Sequence, residues 1–294
     1  MIFVDAQCIP CILHVRAREI ANFIRDRRIR VKLISELAAL VANEALKDAN
    51  ITKIATLTFR RLKETIENND PYSRVKREAN FLAEKALKDL NSKYLDDIKF
   101  LIKLAAIGNS IDFGVLGYEF DAENILNEVK KAIFKIDDTD KLLETLKSVR
   151  TIIYLLDNAG EAVFDRELIR AISKNYVNAV TYVVAKSGSF QNDITYGEAK
   201  ELRFTDIGKN VKLIETGTDA STIFLDEINP ELREVVEEAD LIISKGMAHY
   251  EYLASEDFPL KKNMVFILRA KCSVIASSLN VGLGEYVIKF VRSK

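Results

Sequence analysis

The stretch TIIYLLDNAGEAVFDRELIRAI (residues 151–172) decides how the rest of the chain is read. Residues 151–156 are a near-continuous apolar run, which fits a strand buried on both faces of a sheet. Asp157, Asn158 and Gly160 then interrupt it with turn-forming residues. After them Phe164, Leu168, Ile169 and Ile172 recur at three- and four-residue spacing, as on one face of a helix. The same texture repeats downstream. AVTYVVA (179–185), VKLIE (211–215), ADLIISK (239–245) and MVFILRA (264–270) are each followed by a turn and a helix-like stretch, such as PELREVVEEA (230–239). Strands of this kind alternating with helices imply an α/β unit: a mostly parallel sheet with helices on both faces.

Before about residue 148 the period is different. VKLISELAALVANEAL, IATLTFRRLKETI and ANFLAEKALKDLNSKYLDDIKFLIKLAAI all carry apolar residues at helical spacing with charges between them. AENILNEVKKAIFKI and TDKLLETLKSV read as two more amphipathic helices, with Asp121 and Asp138 or Thr139 as N-caps. Asp70-Pro71 marks a turn. The expected organisation is a mainly helical domain over 1–148 and an α/β domain over 149–294.

Composition narrows the function. The chain has 294 residues, 43 Lys and Arg against 44 Asp and Glu, and a formal net charge of −1. A balanced charge speaks against a nucleic-acid-coating protein. No run of about 18 uncharged apolar residues occurs, so no membrane span is expected. MIFVDAQCIPCILHVRAREI lacks a basic n-region and a small-residue cleavage site, so no signal peptide is expected. Three Cys do not build a disulfide framework, and the cytoplasm is the expected compartment. Only His14 and His249 are present, so sites built on three His are impossible and no HExxH motif occurs.

In parallel sheets ligands bind outside the carboxyl ends of the strands. Here those ends read Asp157-Asn158-Ala159-Gly160-Glu161, then Lys186-Ser187-Gly188 with Gln191-Asn192-Asp193. The later ones are Lys245-Gly246 leading to His249-Tyr250, and Lys271-Cys272. Asp and Asn supply hard oxygen ligands for an octahedral divalent ion. Lysines supply positive charge for a phosphate. Gly160, Gly188 and Gly246 let backbone amides approach an anion. Together they point to metal-assisted chemistry on a phosphorylated small molecule.

DNAGE (157–161), NDIT (192–195), KGMAHYE (245–251) and RAKC (269–272), with GNSIDFG (108–114), DPYSRVKREAN (70–80) and Cys8-Ile9-Pro10-Cys11, resemble the DUF89 family of damage-control phosphatases, also described as ARMT1-like metal-binding domains. The CxxC pair places the chain beside the microbial and archaeal subfamily. Arg269-Ala270-Lys271-Cys272 stands where another subfamily carries Arg-Thr-x-Lys, and it keeps the lysine. The resemblance implies a Rossmann-like three-layer α/β/α domain joined to a helical domain. It also implies a phosphatase dependent on Mn²⁺, Ni²⁺, Co²⁺ or Mg²⁺, acting on small phosphorylated metabolites such as sugar phosphates or phosphopantetheine-like compounds.

Carried over by motif, the metal ligands are Asp157, Asn158 and Asp193. Asp157, Asp193 and Lys271 are the catalytic candidates. Lys245, Gly246, His249 and Tyr250 are the substrate and phosphate candidates, with Glu161 as an outer partner. Asn109 and Asp112 read equally as cleft residues or as a turn and a helix cap. Asp70, Tyr72 and Lys76 read as closing over the substrate or as a turn and a solvated helix face. Cys8, Cys11 and His14, spaced C-x2-C-x2-H on one helix face, read as an accessory or structural metal-binding group, with a redox dithiol, given Pro10 between the two Cys, as the alternative. Direct water attack and an aspartyl-phosphate route both fit this set. The rival readings are a metal-regulated nucleotide- or phosphometabolite-binding protein and a methyltransferase-like module on the same fold. A haloacid-dehalogenase-like phosphatase needs Asp-x-Asp after the first strand, and here that strand ends Asp-Asn-Ala.

Overall fold

The computed structural model describes residues 4–47, 49–90, 92–108, 122–255 and 258–293. The first part holds helices α1 (Cys8–Phe23), α2 (Arg27–Ala45), α3 (Ile51–Ile66), α4 (Ser73–Lys88), α5 (Ser92–Leu95), α6 (Ile98–Gly108) and α7 (Ala122–Lys131). Strand β1 (Phe134–Asp137) and helix α8 (Thr139–Leu146) follow. Then β2 (Thr151–Leu155), α9 (Glu161–Asn175), β3 (Val180–Ala185), α10 (Tyr196–Glu201) and β4 (Val211–Glu215) alternate. The chain ends with α11 (Pro230–Glu238), β5 (Leu241–Lys245), α12 (Gly246–Leu253), β6 (Asn263–Arg269), α13 (Ser273–Leu279) and β7 (Tyr286–Val291).

The strands form one sheet in the order β1-β7-β6-β5-β2-β3-β4. From β6 to β4 every pairing is parallel; β7 runs antiparallel to β6, and β1 lies parallel to β7. The mostly parallel α/β architecture expected from residues 151–270 is therefore present. Alternation along the strands divides two apolar layers. Ile152, Tyr154, Val183 and Ile243 face a layer containing residues of α4, α6, α8 and α9. Ile153, Leu155, Val184 and Ile242 face a layer containing residues of α11, α12 and α13. Burial on both sides explains why these strands are apolar throughout.

One part of the sequence reading is corrected. Residues 122–136 are not a single helix, because the run breaks after Lys131 and Phe134-Lys135-Ile136-Asp137 joins the sheet edge. Phe134 and Ile136 are half-buried while Lys135 and Asp137 are more exposed or polar-facing, a two-residue alternation suited to an edge strand. β1 and α6 thus share the sheet's core with residues beyond position 148. Helices α1–α3 add small cores of their own. Ile20, Leu33, Leu37, Phe59 and Leu62 form one of these, and Phe190, from the loop after β3, inserts into it. Local capping follows the sequence: Asp26 caps α2, Asn50 caps α3, and Thr195 with Glu198 forms a reciprocal capping box on α10. Among the described residues no helix is long and apolar enough to cross a membrane.

Candidate functional site

The chain reverses its direction of travel across the sheet at β2, which has β3 on one side and β5 on the other. A crevice outside the carboxyl ends of such strands is the expected ligand position. Asp157 follows β2, and Lys245-Gly246 closes β5, so both lie at this switch point.

Two loops are zipped together there. Asn158 forms an isolated antiparallel bridge with Asp193. The Ile194 N–H donates to the Asp157 carbonyl (2.9 Å) and the Ala159 N–H to the Asn192 carbonyl (2.9 Å). Residues far apart in sequence thus place Asp157, Asn158 and Asp193 side by side. Gly246 completes the wall. Its φ is +74°, a region that favours glycine, and a Cβ built on it would overlap the Asp157 carboxylate.

The electrostatics show what this group lacks. Asp157 and Asp193 are 8% and 6% exposed. Burial, followed by repulsion from Asp193 and Glu161, pushes the Asp157 carboxyl well above its ordinary range. Burial raises Asp193 to about 6 despite the nearby Lys186 ammonium. Lys186 lies 3.3 Å from Asp193 Oδ2 but also donates to the Ser221 carbonyl (2.8 Å). Lys271 is exposed, and its charge acts on Asp157 from the open side. Two buried carboxylates beside a carboxamide oxygen, short of positive charge, fit a hard divalent cation. Among the described residues no group of three or more His, Cys, Asp and Glu is placed to hold a metal ion; the third oxygen beside the two carboxylates belongs to the Asn158 amide.

Other sequence candidates fall elsewhere. Lys245 is fully buried. Its ammonium is taken up by Glu161 Oε1 (2.5 Å), Asp165 Oδ1 (2.8 Å) and the Ala105 carbonyl (2.9 Å). Burial disfavours the charged lysine, but Asp165 and Glu161 outweigh that and raise its pKa. Glu161, also fully buried, accepts from Asn158 Nδ2 at 2.9 Å. His249 lies in the core against Thr222 Oγ1 (2.9 Å) and the Leu156 carbonyl (3.3 Å). Burial, then Lys186, hold its pKa well below the ordinary value, so it is a neutral packing residue. Tyr250 packs edge-on against Phe266 and its hydroxyl meets Ser278 Oγ, on the α13 side of the sheet. The side chains of Lys245, His249 and Tyr250 are thus not presented to the cleft as phosphate contacts, because the sheet and its layers consume them.

Lys76 is buried between Asp70 and Glu198, and Tyr72 donates to Glu19 (2.7 Å), so this trio ties α4 to neighbouring segments. Cys8 opens α1 half-buried and Cys11 is exposed. Burial pushes the Cys8 thiol above its ordinary pKa, which is opposite to an activated thiolate. Asn109 and Asp112 lie outside the described residues. Two residues of the site were missing from the sequence reading's candidates. Lys186 was visible as a lysine at a strand end. Asn80 of α4, whose Oδ1 accepts from the Gly160 N–H (2.6 Å), closes the DPYSRVKREAN motif but was assigned no role there.

The fold is that of a mostly parallel α/β protein with buried carboxylates at the switch point of its sheet, and comparison with known proteins gives the family. The model of the damage-control phosphatase ARMT1-like domain matches residues 4–287. The chain belongs to that family. It is 32% identical over 287 residues to a damage-control phosphatase of Pyrococcus horikoshii, covering 97% of this chain and 96% of that one. An Archaeoglobus fulgidus damage-control phosphatase is 32% identical over 292 residues, covering 97% and 98%. An uncharacterized Methanocaldococcus jannaschii protein is 33% identical over 292 residues, covering 97% and 94%. The crystal structure of a DUF89 family protein from Pyrococcus horikoshii superposes with a TM-score of 0.88 at 30% identity, covering all of both chains. These relatives support a phosphatase role.

Proposed function

We propose that this protein is a metal-dependent phosphomonoester hydrolase. Its substrates are small phosphorylated metabolites, of the sugar-phosphate or phosphopantetheine-like kind. The observation that carries the reading is the buried, under-neutralised pair Asp157 and Asp193, joined through Asn158 at the switch point of the sheet. Asp157, Asn158 and Asp193 would hold a divalent ion such as Mn²⁺, Ni²⁺, Co²⁺ or Mg²⁺. When bound, such an ion polarises a phosphoryl oxygen and lowers the pKa of a coordinated water.

The protein's own groups do the rest. Lys271, on the open side, offsets charge on the phosphoryl oxygens. Lys186 pairs with Asp193 and holds that carboxylate in place. The α9 amides beyond Gly160 lie at a helix N-terminus, which favours an anion. Gly246 lets the α12 start abut Asp157 without a side chain between them. Water attacks phosphorus in line with the leaving alcohol, and the P–O bond to that alcohol breaks as the new one forms.

The test is phosphate release from a panel of phosphomonoesters with and without each of the four metals, repeated on Asp157→Ala and Asp193→Ala. Metal-dependent release by the wild type, lost in both folded variants, is the expected result. Unchanged turnover in either variant overturns the assignment. Tight metal binding with silence across the panel favours a metal-regulated binding protein instead.

A further inference from the structure

Beneath the three proposed ligands lies a buried chain of polar contacts that sequence alone does not assign to any role. Lys245, at the end of β5, places its ammonium between Glu161 and Asp165, one helical turn apart on the buried face of α9. Glu161 has a second partner. While Oε1 meets Lys245, Oε2 accepts one hydrogen of the Asn158 amide at 2.9 Å. The other hydrogen of that amide goes to Asp157 Oδ2 at 2.7 Å. An amide has two N–H donors and one carbonyl acceptor. With both donors committed to carboxylates, the amide's orientation is set, and Oδ1 is the atom left for a cation.

A carboxamide turned the other way would present N–H groups to a metal ion and repel it. Free rotation about the terminal torsion of Asn is easy, because that torsion has a broad, two-fold preference. Something must therefore choose between the two orientations. Asp157 alone cannot do so, since it is itself a ligand whose charge the ion would share. Glu161 is fully buried, and its other oxygen, Oε1, is held by the Lys245 ammonium, so its orientation is fixed from below. Asp165 is the second counter-ion of Lys245; it also accepts from the Tyr154 hydroxyl (2.7 Å) and makes no hydrogen bond to Asn158.

We propose that Lys245 and Glu161 are positioning residues: the Lys245–Glu161 pair fixes the Asn158 carboxamide with its oxygen facing the metal site. This rests on the metal-ligand reading above. It assigns Lys245 a function other than phosphate contact, and it separates Glu161 from Asp165 although both neutralise the same lysine.

That separation gives a matched experiment. Glu161→Gln and Asp165→Asn each remove one buried negative charge beside Lys245, so a purely structural role predicts similar effects from both. Mn²⁺ binding to the substrate-free protein is measured by titration calorimetry, with melting temperature followed in parallel. Loss of an outer partner of a metal ligand typically weakens binding about 10–100-fold. Glu161→Gln is expected to lose affinity within that range, and Asp165→Asn to stay within about threefold of wild type. Equal losses in the two variants, or wild-type affinity in Glu161→Gln, overturn the proposal. If Glu161→Gln does not fold, Lys245→Arg keeps the charge but changes its reach; the proposal expects weakened Mn²⁺ binding there too, and wild-type affinity overturns it. A wild-type protein that binds no Mn²⁺, Ni²⁺, Co²⁺ or Mg²⁺ breaks the metal reading itself, a result distinct from either outcome among the variants.

Discussion

Two clusters of buried and half-buried charge meet the edge of this sheet and behave in opposite ways. In the first, Arg60 of α3 donates to Asp219 Oδ1 (2.7 Å) and Glu227 Oε2 (2.7 Å), Lys63 reaches Asp219 Oδ2 (2.6 Å), and Lys53 pairs with Glu227. Burial works against these carboxylates, yet the hydrogen bonds from Arg60, Lys63 and Lys53 outweigh it. Asp219 is held below its ordinary range and Glu227 at about 2. In the second, Asp157, Asp193 and Asp165 are all pushed upward. The difference is not a lack of lysines. Lys63 of the first cluster divides its donors between Asp219 and the Ser189 carbonyl just as Lys186 and Lys245 do with the carbonyls of Ser221 and Ala105, but Asp219 and Glu227 keep part of their side chains in solvent, whereas Asp157, Asp193 and Asp165 are buried and desolvation outweighs the lysines beside them. The first cluster is a finished clamp between α3 and the sheet loops. The second is the site proposed above to receive a cation.

Several substitutions and titrations break or sharpen this contrast. The largest effect beyond the proposed ligands is expected at Gly246→Ala, because a Cβ there overlaps Asp157. Displacing a reacting group by about 1 Å can cost on the order of 10²-fold in rate, and steady-state phosphate release checks it. Mn²⁺ at a hundredfold excess over its dissociation constant is expected to stabilise the wild type by about 2.7 kcal/mol, read from denaturant unfolding at neutral pH. The same addition to Asp193→Ala is expected to do little; equal stabilisation there places the ion elsewhere. Arg60→Ala opens the clamp and is expected to lower stability by roughly 1.5–3 kcal/mol while turnover persists.

The smallest effects are the pH slopes. Glu227 has a depressed carboxyl, so its contribution is present above the unfolded value near 4.5 and is lost as pH falls toward about 2. Part of that contribution is screened by solvent, and it should stay under about 1 kcal/mol. Asp165 has the opposite sign. Its folded value of about 6 lies above the ordinary carboxyl value, so the folded protein takes up its proton first. Stability of the metal-free protein therefore falls as pH rises from about 4 to about 6. Unfolding curves should show a shallower acid slope in Glu227→Gln, where Asp219 still contributes, and a shallower upper slope in Asp165→Asn, where Asp193 still does.

Much of this arrangement was readable before any coordinates. The apolar runs at 151–156, 179–185 and 239–245 name the central strands because burial on both faces removes every polar position from them. The strand-end pattern Asp157-Asn158 with Asp193 names the proposed ligands for the same reason: polar residues appear where the sheet stops. The edges were harder. Phe134-Lys135-Ile136-Asp137 is too short for two-residue and helical periods to differ, and it follows directly on a helix. Residues 286–291 form a strand that the recurring strand–helix pattern does not announce, because it turns back antiparallel. Lys245 could not be placed either. In a strand buried on both faces, alternation no longer says which way the last side chain points. The readable clue was on α9: Glu161 and Asp165, one turn apart on an otherwise apolar face, require a buried cation.

Phe190 has a consequence for anyone who would rebuild this protein. Its ring fills the core of α1–α3, only three residues before Asp193, while Ile194 just beyond Asp193 is hydrogen-bonded to the end of β2. The helices and the sheet are therefore not interchangeable modules. A chimera that took its helices from one relative and its sheet from another would fit a foreign socket around Phe190, and the error would be delivered as a misplaced carboxylate.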